Sequence, residues 1–181
     1  MSVTLRDARG SADDRQWVQS VYPEYIEELS EVSRSGTGVF PIIGEHGPRE
    51  AELLARWFRD DRSHPLLILD TGKPAGFALV SRPLLRATGP AAAHVDEFRM
   101  AEFFIRRTFR RRGIGRVAAG LIFSRFAGQW EVAEASTNAE AVNFWRRTIM
   151  QYTRGQYDER VRDGEVRQHF VSSNSPGLGR S

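Results

Sequence analysis

The 181-residue sequence contains no cysteine. That absence excludes disulfides, thiolate nucleophiles, a cysteine-borne covalent intermediate and cysteine-ligated metals together. Lysine is almost missing as well: Lys73 is the single one among 26 basic residues, so the positive charge belongs to arginine. Arginine keeps its proton near neutrality and presents a planar fork suited to carboxylates and phosphates. Histidine is sparse. His46, His64, His94 and His169 are scattered with no pair at i,i+4 spacing, and no metal is expected from them. No apolar run approaches the ~20 residues needed to span a bilayer. The first residues lack the basic-then-apolar layout of a signal peptide, so a cytoplasmic protein with no membrane partner is expected. Internal repeats and low-complexity blocks are also lacking.

What is present has ordinary globular composition, with 40% apolar and 27% charged residues and a net charge of +3. The length suits a single domain with a full core, placed at residues 1–171. The Ser- and Gly-rich stretch 172–181 is expected to be a disordered tail. A strand is predicted at 3–6, followed by a helical pattern over 12–32 that Pro23 must kink or divide. Loop-like stretches at 33–38 and 44–48 precede a helix at 49–60. Two apolar runs, 66–70 and 74–81, joined by Thr71-Gly72-Lys73, read as a hairpin. A long strand at 94–105 leads to a helix at 114–126 stopped near Gly128. A strand at 130–135, a helix at 138–149 and strands at 152–157 and 166–171 complete the order. Such an order predicts an α/β fold, a mixed sheet with helices on both faces.

The most informative segment joins the long strand to the helix after it. Phe103-Phe104-Ile105 ends the strand, and a turn follows that puts Arg106, Arg107, Arg110, Arg111, Arg112 and Arg116 within eleven residues. Gly113 and Gly115 open the helix. The first amides of a helix have no internal partner and, with the helix dipole, favour an anion. Arginines around them would add charge-assisted bonds to phosphate. The segment therefore reads as a pyrophosphate cradle. Three other readings fit the same residues. The glycines can serve a tight connection with solvated arginines. Gly113-x-Gly115-x-x-Ala118 with Glu134 beyond matches a dinucleotide-binding turn, although the arginines separate it from its strand. The cluster also reads as a nucleic-acid surface, against which the rest of the chain is near neutral and carries no nucleic-acid motif, so no nucleic-acid partner is expected.

Arg110-Arg111-Arg112-Gly113-Ile114-Gly115 resembles the Gln/Arg-x-x-Gly-x-Gly/Ala signature of the GNAT acetyltransferase superfamily. Asn138-Ala139-Glu140-Ala141-Val142-Asn143-Phe144-Trp145 resembles its second signature, a helix reading Asn-x-x-Ala-x-x-apolar-Tyr. The order of elements is similar too, and the likeness extends to a branch of bacterial predicted acetyltransferases. The resemblance implies the acyl-CoA N-acyltransferase fold, with acetyl-CoA as cosubstrate and an amine as the second partner. By position, Arg110, Arg111, Arg112, Gly113, Ile114, Gly115 and Arg116 would cradle the pyrophosphate. Phe103, Phe104 and Ile105 would offer their backbone to the pantetheine arm, as to an added strand. An amide near Phe104 would polarise the thioester carbonyl. Asn138 would reach the pantetheine or cap its helix, or both, with Phe144 and Trp145 beside it.

Members of this superfamily often use a carboxylate of the long strand as base. Glu97 and Glu102 are the candidates, with Glu102 preferred for its place near the thioester end. Five residues apart, they lie on opposite faces of a regular strand unless a bulge intervenes. The acid of the superfamily is a Tyr where this chain has Trp145, so that role is vacant. Tyr152 could fill it, or be an ordinary strand aromatic. The family builds its acceptor pocket from the first helices and their loop, which implicates Tyr22, Tyr25, Glu28, residues 36–41 and Trp57. Glu24, Glu27, Glu28 and Glu31 form an acidic run that would attract a cationic amine or simply face solvent. The expected activity is transfer of acetyl from acetyl-CoA to the amine of a small molecule or peptide by direct attack. The alternative is a non-catalytic acyl-CoA-binding or sensing module. The exposed final strands admit pairing into a homodimer.

Overall fold

The computed structural model of the chain describes residues 2–35, 48–83 and 96–173. Residues 36–38 and 44–47 of the two predicted loops, the predicted acceptor stretch 36–41, His46, His94 and most of the predicted tail lie outside the described residues. Residues 33–35, expected in a loop, end the first helix, and Pro48 opens the second. Elements run in the order β1 (Val3–Asp7), α1 (Ala12–Ser35), α2 (Pro48–Arg59), β2 (Ser63–Asp70), β3 (Lys73–Ser81), β4 (Glu97–Ile105), α3 (Ile114–Arg125), β5 (Gly128–Ala135), α4 (Ala139–Thr153), β6 (Asp158–Arg162) and β7 (Glu165–Ser172). The seven strands form one sheet in the order β1-β2-β3-β4-β5-β7-β6. The β4–β5 pair is parallel and every other pair antiparallel. This is the mixed α/β sheet that the element order predicts.

Alternation along the central strands divides the core into two layers. Leu66, Ile68, Ala78, Val80, Phe98 and Met100 face one way, into a cluster completed by Ala118, Ile122 and Phe123 of α3 and by Trp145 and Ile149 of α4. Leu67, Leu69, Phe77, Leu79 and Phe104 face the other way, against Val18, Tyr22, Tyr25 and Ile26 of α1 and Leu54 and Phe58 of α2. Trp57 packs at the edge of that second cluster.

Local signals explain the helix boundaries. Asp13 and Asp14 occupy the first turn of α1, where a negative charge suits the helix dipole. Asp14 is buried and bound to Arg6 of β1 at 2.6 Å. Pro23 does not divide the helix: α1 is assigned without a break across it. A proline removes one donor and one internal bond, and here the buried stripe from Val18 to Ile26 keeps the helix docked on both sides of that gap.

Three boundaries differ from expectation. The predicted strand 152–157 is the end of α4 followed by a turn with Arg154 and Gly155 at φ 55° and 85°. Tyr152 is therefore helical; its ring belongs with the α3–α4 core, which extends the apolar stripe of α4 by one turn. The last strands are β6 and β7 joined at Asp163-Gly164. Ser172, placed above in the tail, is the buried final residue of β7, and its hydroxyl donates to the Phe123 carbonyl at 2.5 Å.

β4 carries a bulge. Leu79 pairs with Glu102 and Val80 with Met100, leaving Ala101 as the extra residue. The bulge reverses the parity of everything after it. Phe98 and Met100 share a face with Ile105, and Glu97 comes to the same face as Glu102 and Phe104. Beyond the bulge β3 lies close against β4: a Cβ added at Gly76 would stand 2.1 Å from the Phe104 carbonyl oxygen. Gly76→Ala is expected to destabilise the fold by about 2–4 kcal/mol, measured by urea unfolding; an unchanged midpoint would contradict this close approach.

Candidate functional site

The site begins where two neighbouring strands part. β4 and β5 pair from Glu97–Gln129 to Met100–Val132 and no further. β4 stays bound to β3 as far as Ile105, and β5 stays bound to β7 as far as Ala135. The inner edges of residues 101–105 and 133–135 therefore face a gap with no strand between them. Alternate amides and carbonyls along such an edge point away from the existing partner strand and are open to an extended ligand.

The side chains of Phe104 and Ile105 are buried in the two core layers, so these residues offer the gap only their backbone. Phe103 is half-buried and stacked on Phe144 with ring centres 5.8 Å apart. Trp145 lies edge-on to Phe103 at 5.0 Å and is 4% exposed. Its indole, expected as a cofactor contact, packs in the core against Phe103 and Phe144.

At the open end the chain turns through Arg107–Phe109 into α3. Gly113 caps the helix in the left-handed region, with φ 79°, and contributes no side-chain acceptor. The first helical amide with a carbonyl partner is that of Val117, at 3.1 Å from the Gly113 oxygen. Ile114 is buried, anchoring the helix start in the core. A Cβ on Gly115 would sit 3.3 Å from the Phe144 ring and 3.5 Å from Ile105. The start of α3 is thus pressed against the end of β4, with its leading amides uncapped.

The arginines, expected to surround a phosphate, are mostly engaged. Arg106 binds Glu24 at 3.2 Å, Arg107 binds Glu28 at 2.9 Å and Glu31 at 3.4 Å, and Arg110 binds Glu28 at 2.6 Å. Arg110 also donates to the Ile105 carbonyl at 2.6 Å. Arg112 binds buried Asp70 at 3.1 Å, and Arg116 reaches Gln151 at 3.3 Å. Arg111, exposed and at φ 60°, has no side-chain partner among the described residues. Within the acidic run of α1, Glu24, Glu28 and Glu31 are paired with arginines of the turn, while Glu27 faces solvent. Glu24, Glu28 and Glu31 link the helix to the turn, and Glu28, expected at the acceptor, is paired here with Arg107 and Arg110. Glu28, Glu31, Arg107, Arg110, Arg111 and Glu140 line a cavity of about 420 Å³ between α1, the turn and the first turn of α4.

Of the two candidate bases, Glu97 is exposed at the paired end of the strands, beside Gln129. Glu102 is on the parted segment. Its Oε2 accepts a hydrogen bond from the Tyr25 hydroxyl of α1. Burial pushes the Glu102 carboxyl up, the Tyr25 bond pulls it back, and the charge of Glu134 adds to the rise, leaving it at about 7. Burial and the Glu102 charge raise Tyr25 well above its ordinary value, so its hydroxyl stays protonated. The rings of Tyr22 and Tyr25, expected at an acceptor surface, are in the core against Phe77, at 5.9 and 5.6 Å, and the Tyr25 hydroxyl reaches Glu102.

Tyr152 is not placed to act with Glu102. Its hydroxyl lies 3.2 Å from that of Ser124 and 2.7 Å from that of Ser172, in the α3–α4 layer, whereas Glu102 faces α1 across the sheet. Asn138 has both ends engaged. Its Oδ1 caps α4 by accepting from the Ala141 amide at 3.2 Å, and its Nδ2 donates to Glu134 at 3.3 Å. Glu134, raised mainly by burial, escaped sequence reasoning as a member of this site. The Tyr25–Glu102 contact escaped it too, since nothing local links positions 77 residues apart. The α1 docking had a legible signal, carboxylates at i, i+4 and i+7 against an arginine cluster.

No helix among the described residues is long and apolar enough to cross a membrane, and no group of three His, Asp or Glu side chains gathers there as a metal site. No curated protein sequence matches the chain. The fold is that of known acetyltransferases. An acetyltransferase from Thermus thermophilus superposes with a TM-score of 0.58 at 16% identity, covering 94% of this chain and 97% of its own. Arabidopsis thaliana NAA60, solved with a bisubstrate analogue, gives 0.58 at 12% identity, covering 96% and 100%. AAC(6')-Iy, solved with the bisubstrate analogue CoA-S-monomethyl-acetylneamine, gives 0.53 at 11% identity, covering 82% and 90%. The family model for the acetyltransferase (GNAT) family matches residues 20–149, from α1 through the parted strands to α4, and the chain belongs to that family.

Proposed function

We propose that this protein is an N-acetyltransferase that moves the acetyl group of acetyl-CoA to an amine by direct attack. The observation that carries the reading is Glu102, a carboxyl held near neutrality on the strand segment that leaves β5. The solved relatives with bisubstrate analogues support the choice of cosubstrate.

Each part of the site has a task in that reaction. The uncapped amides of residues 113–116 and the exposed guanidinium of Arg111 would hold the pyrophosphate. The open edge of Phe103, Phe104 and Ile105 would bind the pantetheine arm as an added strand. Phe144 and Phe103 would form the apolar floor beneath it. An outward amide of that edge would stabilise the oxyanion. Glu102 would take the proton that the amine nitrogen loses as its bond to the acetyl carbon forms. The C–S bond then breaks, and the departing thiolate takes up one proton, which balances the one removed. With Trp145 in the core and Tyr152 on the opposite face, that proton is assigned to water or to Glu102 itself. A base of this kind is not fully ionised below neutrality, so kcat/KM should rise with pH through about 7.

Glu102→Gln is expected to lower kcat by about 10²–10⁴-fold while the Kd for acetyl-CoA stays within a factor of two or so. Activity would be read as free thiol released over a panel of amines, and affinity by calorimetry. Retained turnover in the variant would contradict the role of Glu102. Binding by the wild type without turnover on any amine would assign the chain to acyl-CoA sensing instead. Gly113→Glu places a side chain and a negative charge at a left-handed cap; it should abolish acetyl-CoA binding in a protein that remains folded by circular dichroism. Undiminished affinity would remove the start of α3 from the cosubstrate site.

A further inference from the structure

We infer that Tyr25 of α1 is the positioning residue of the Glu102 base, so that the base is a two-element unit rather than a lone strand carboxylate. The inference rests on the acetyl-transfer reading for its kinetic consequence, and on geometry alone for its structural one. The Tyr25 ring is fixed from three sides, edge-on to Phe77 at 5.6 Å, against Phe104 at 5.6 Å and against Tyr22 at 5.8 Å. Its hydroxyl donates to Oε2 of Glu102, which leaves Oε1 for an incoming proton. The helix beneath it is fixed as well: Glu24, the residue before Tyr25, holds Arg106, and Glu28, three residues after it, holds Arg107 and Arg110.

Among the described residues, the influence that favours the ionised Glu102 carboxyl is the Tyr25 hydrogen bond. From α1 the neighbour is Tyr22, and from β5 it is Glu134, whose charge raises both partners. The nearby guanidinium of Arg110 stands over the Phe104 ring at 5.6 Å and is committed to Glu28 and the Ile105 carbonyl. A buried carboxylate without a cation needs donors to remain charged. Tyr25 is held un-ionised by burial and by Glu102, so it acts as a donor in this bond and not as a base. Deleting its hydroxyl removes the influence that opposes burial, and the Glu102 carboxyl moves further up.

Tyr25→Phe tests this, because the ring packing is retained and only the donor is lost. In ¹³C NMR titration of the side-chain carboxyls, with Glu102→Gln giving the assignment, the Glu102 midpoint should lie at higher pH in the variant. In kcat/KM profiles the acid limb should move up in step, with a loss of about tenfold at pH 7, as expected for a hydrogen bond to a charged group, and recovery at higher pH. KM for acetyl-CoA should not change. An unmoved or lowered midpoint, or a loss that is the same at every pH, would overturn the positioning role. Should the wild type transfer no acetyl group, the acetyl-transfer reading fails, and the carboxyl titration still decides the role of Tyr25.

Discussion

The structure depends on one constraint: β4 and β5 are neighbours at one end and strangers at the other. On its outer side β5 is paired with β7 along its length, and β4 with β3 from Arg99 to Ile105 apart from the bulge at Ala101. Their common pairing stops at Met100 and Val132. An unsatisfied backbone edge is costly in a core and reactive on a surface. Here it is placed at the mouth of the sheet, where an extended ligand can complete it. The bulge at Ala101 sits at the point of parting. It turns Glu102 toward α1 and leaves Phe103 over Phe144, so one extra residue places both the proposed base and the proposed floor of the site.

Electrostatics hold α1 across this opening. A cluster of arginines with little but water around it would repel itself, and the turn after β4 carries six within eleven residues. Glu24, Glu28 and Glu31 neutralise three of them, and Asp70 takes a fourth. The pairs are partly exposed, so each is worth little alone. Their value lies in orientation. They set the rotation of α1 so that Tyr25 meets Glu102, and they leave Arg111 uncommitted beside the uncapped start of α3.

Much of this was legible in the sequence, and the parts that were not share a cause. The hairpin at Thr71-Gly72, the glycine-opened helix at Gly113 and the cap at Asn138 are local, and each is signalled by the residues that make it. The position of Glu102 relative to the motif singles it out in the sequence, but the bulge that gives it the same facing as Glu97 depends on the register of β3 against β4. The family resemblance puts Tyr22 and Tyr25 near an acceptor pocket. Burial in the layer under Phe77 is a tertiary fact. The sequence pattern ends the last helix at residue 149 and puts Tyr152 in a strand, whereas α4 runs to Thr153. Its apolar stripe runs one further turn, which carries the hydroxyl into the α3–α4 layer and away from the gap.

The central claim is that acetyl-CoA completes the open edge of β4. Hydrogen–deuterium exchange with and without acetyl-CoA tests it most directly. The account predicts new protection at residues 101–105 and 111–117, with β6 and β7 unchanged. Exchange at 101–105 that is indifferent to saturating acetyl-CoA would contradict it.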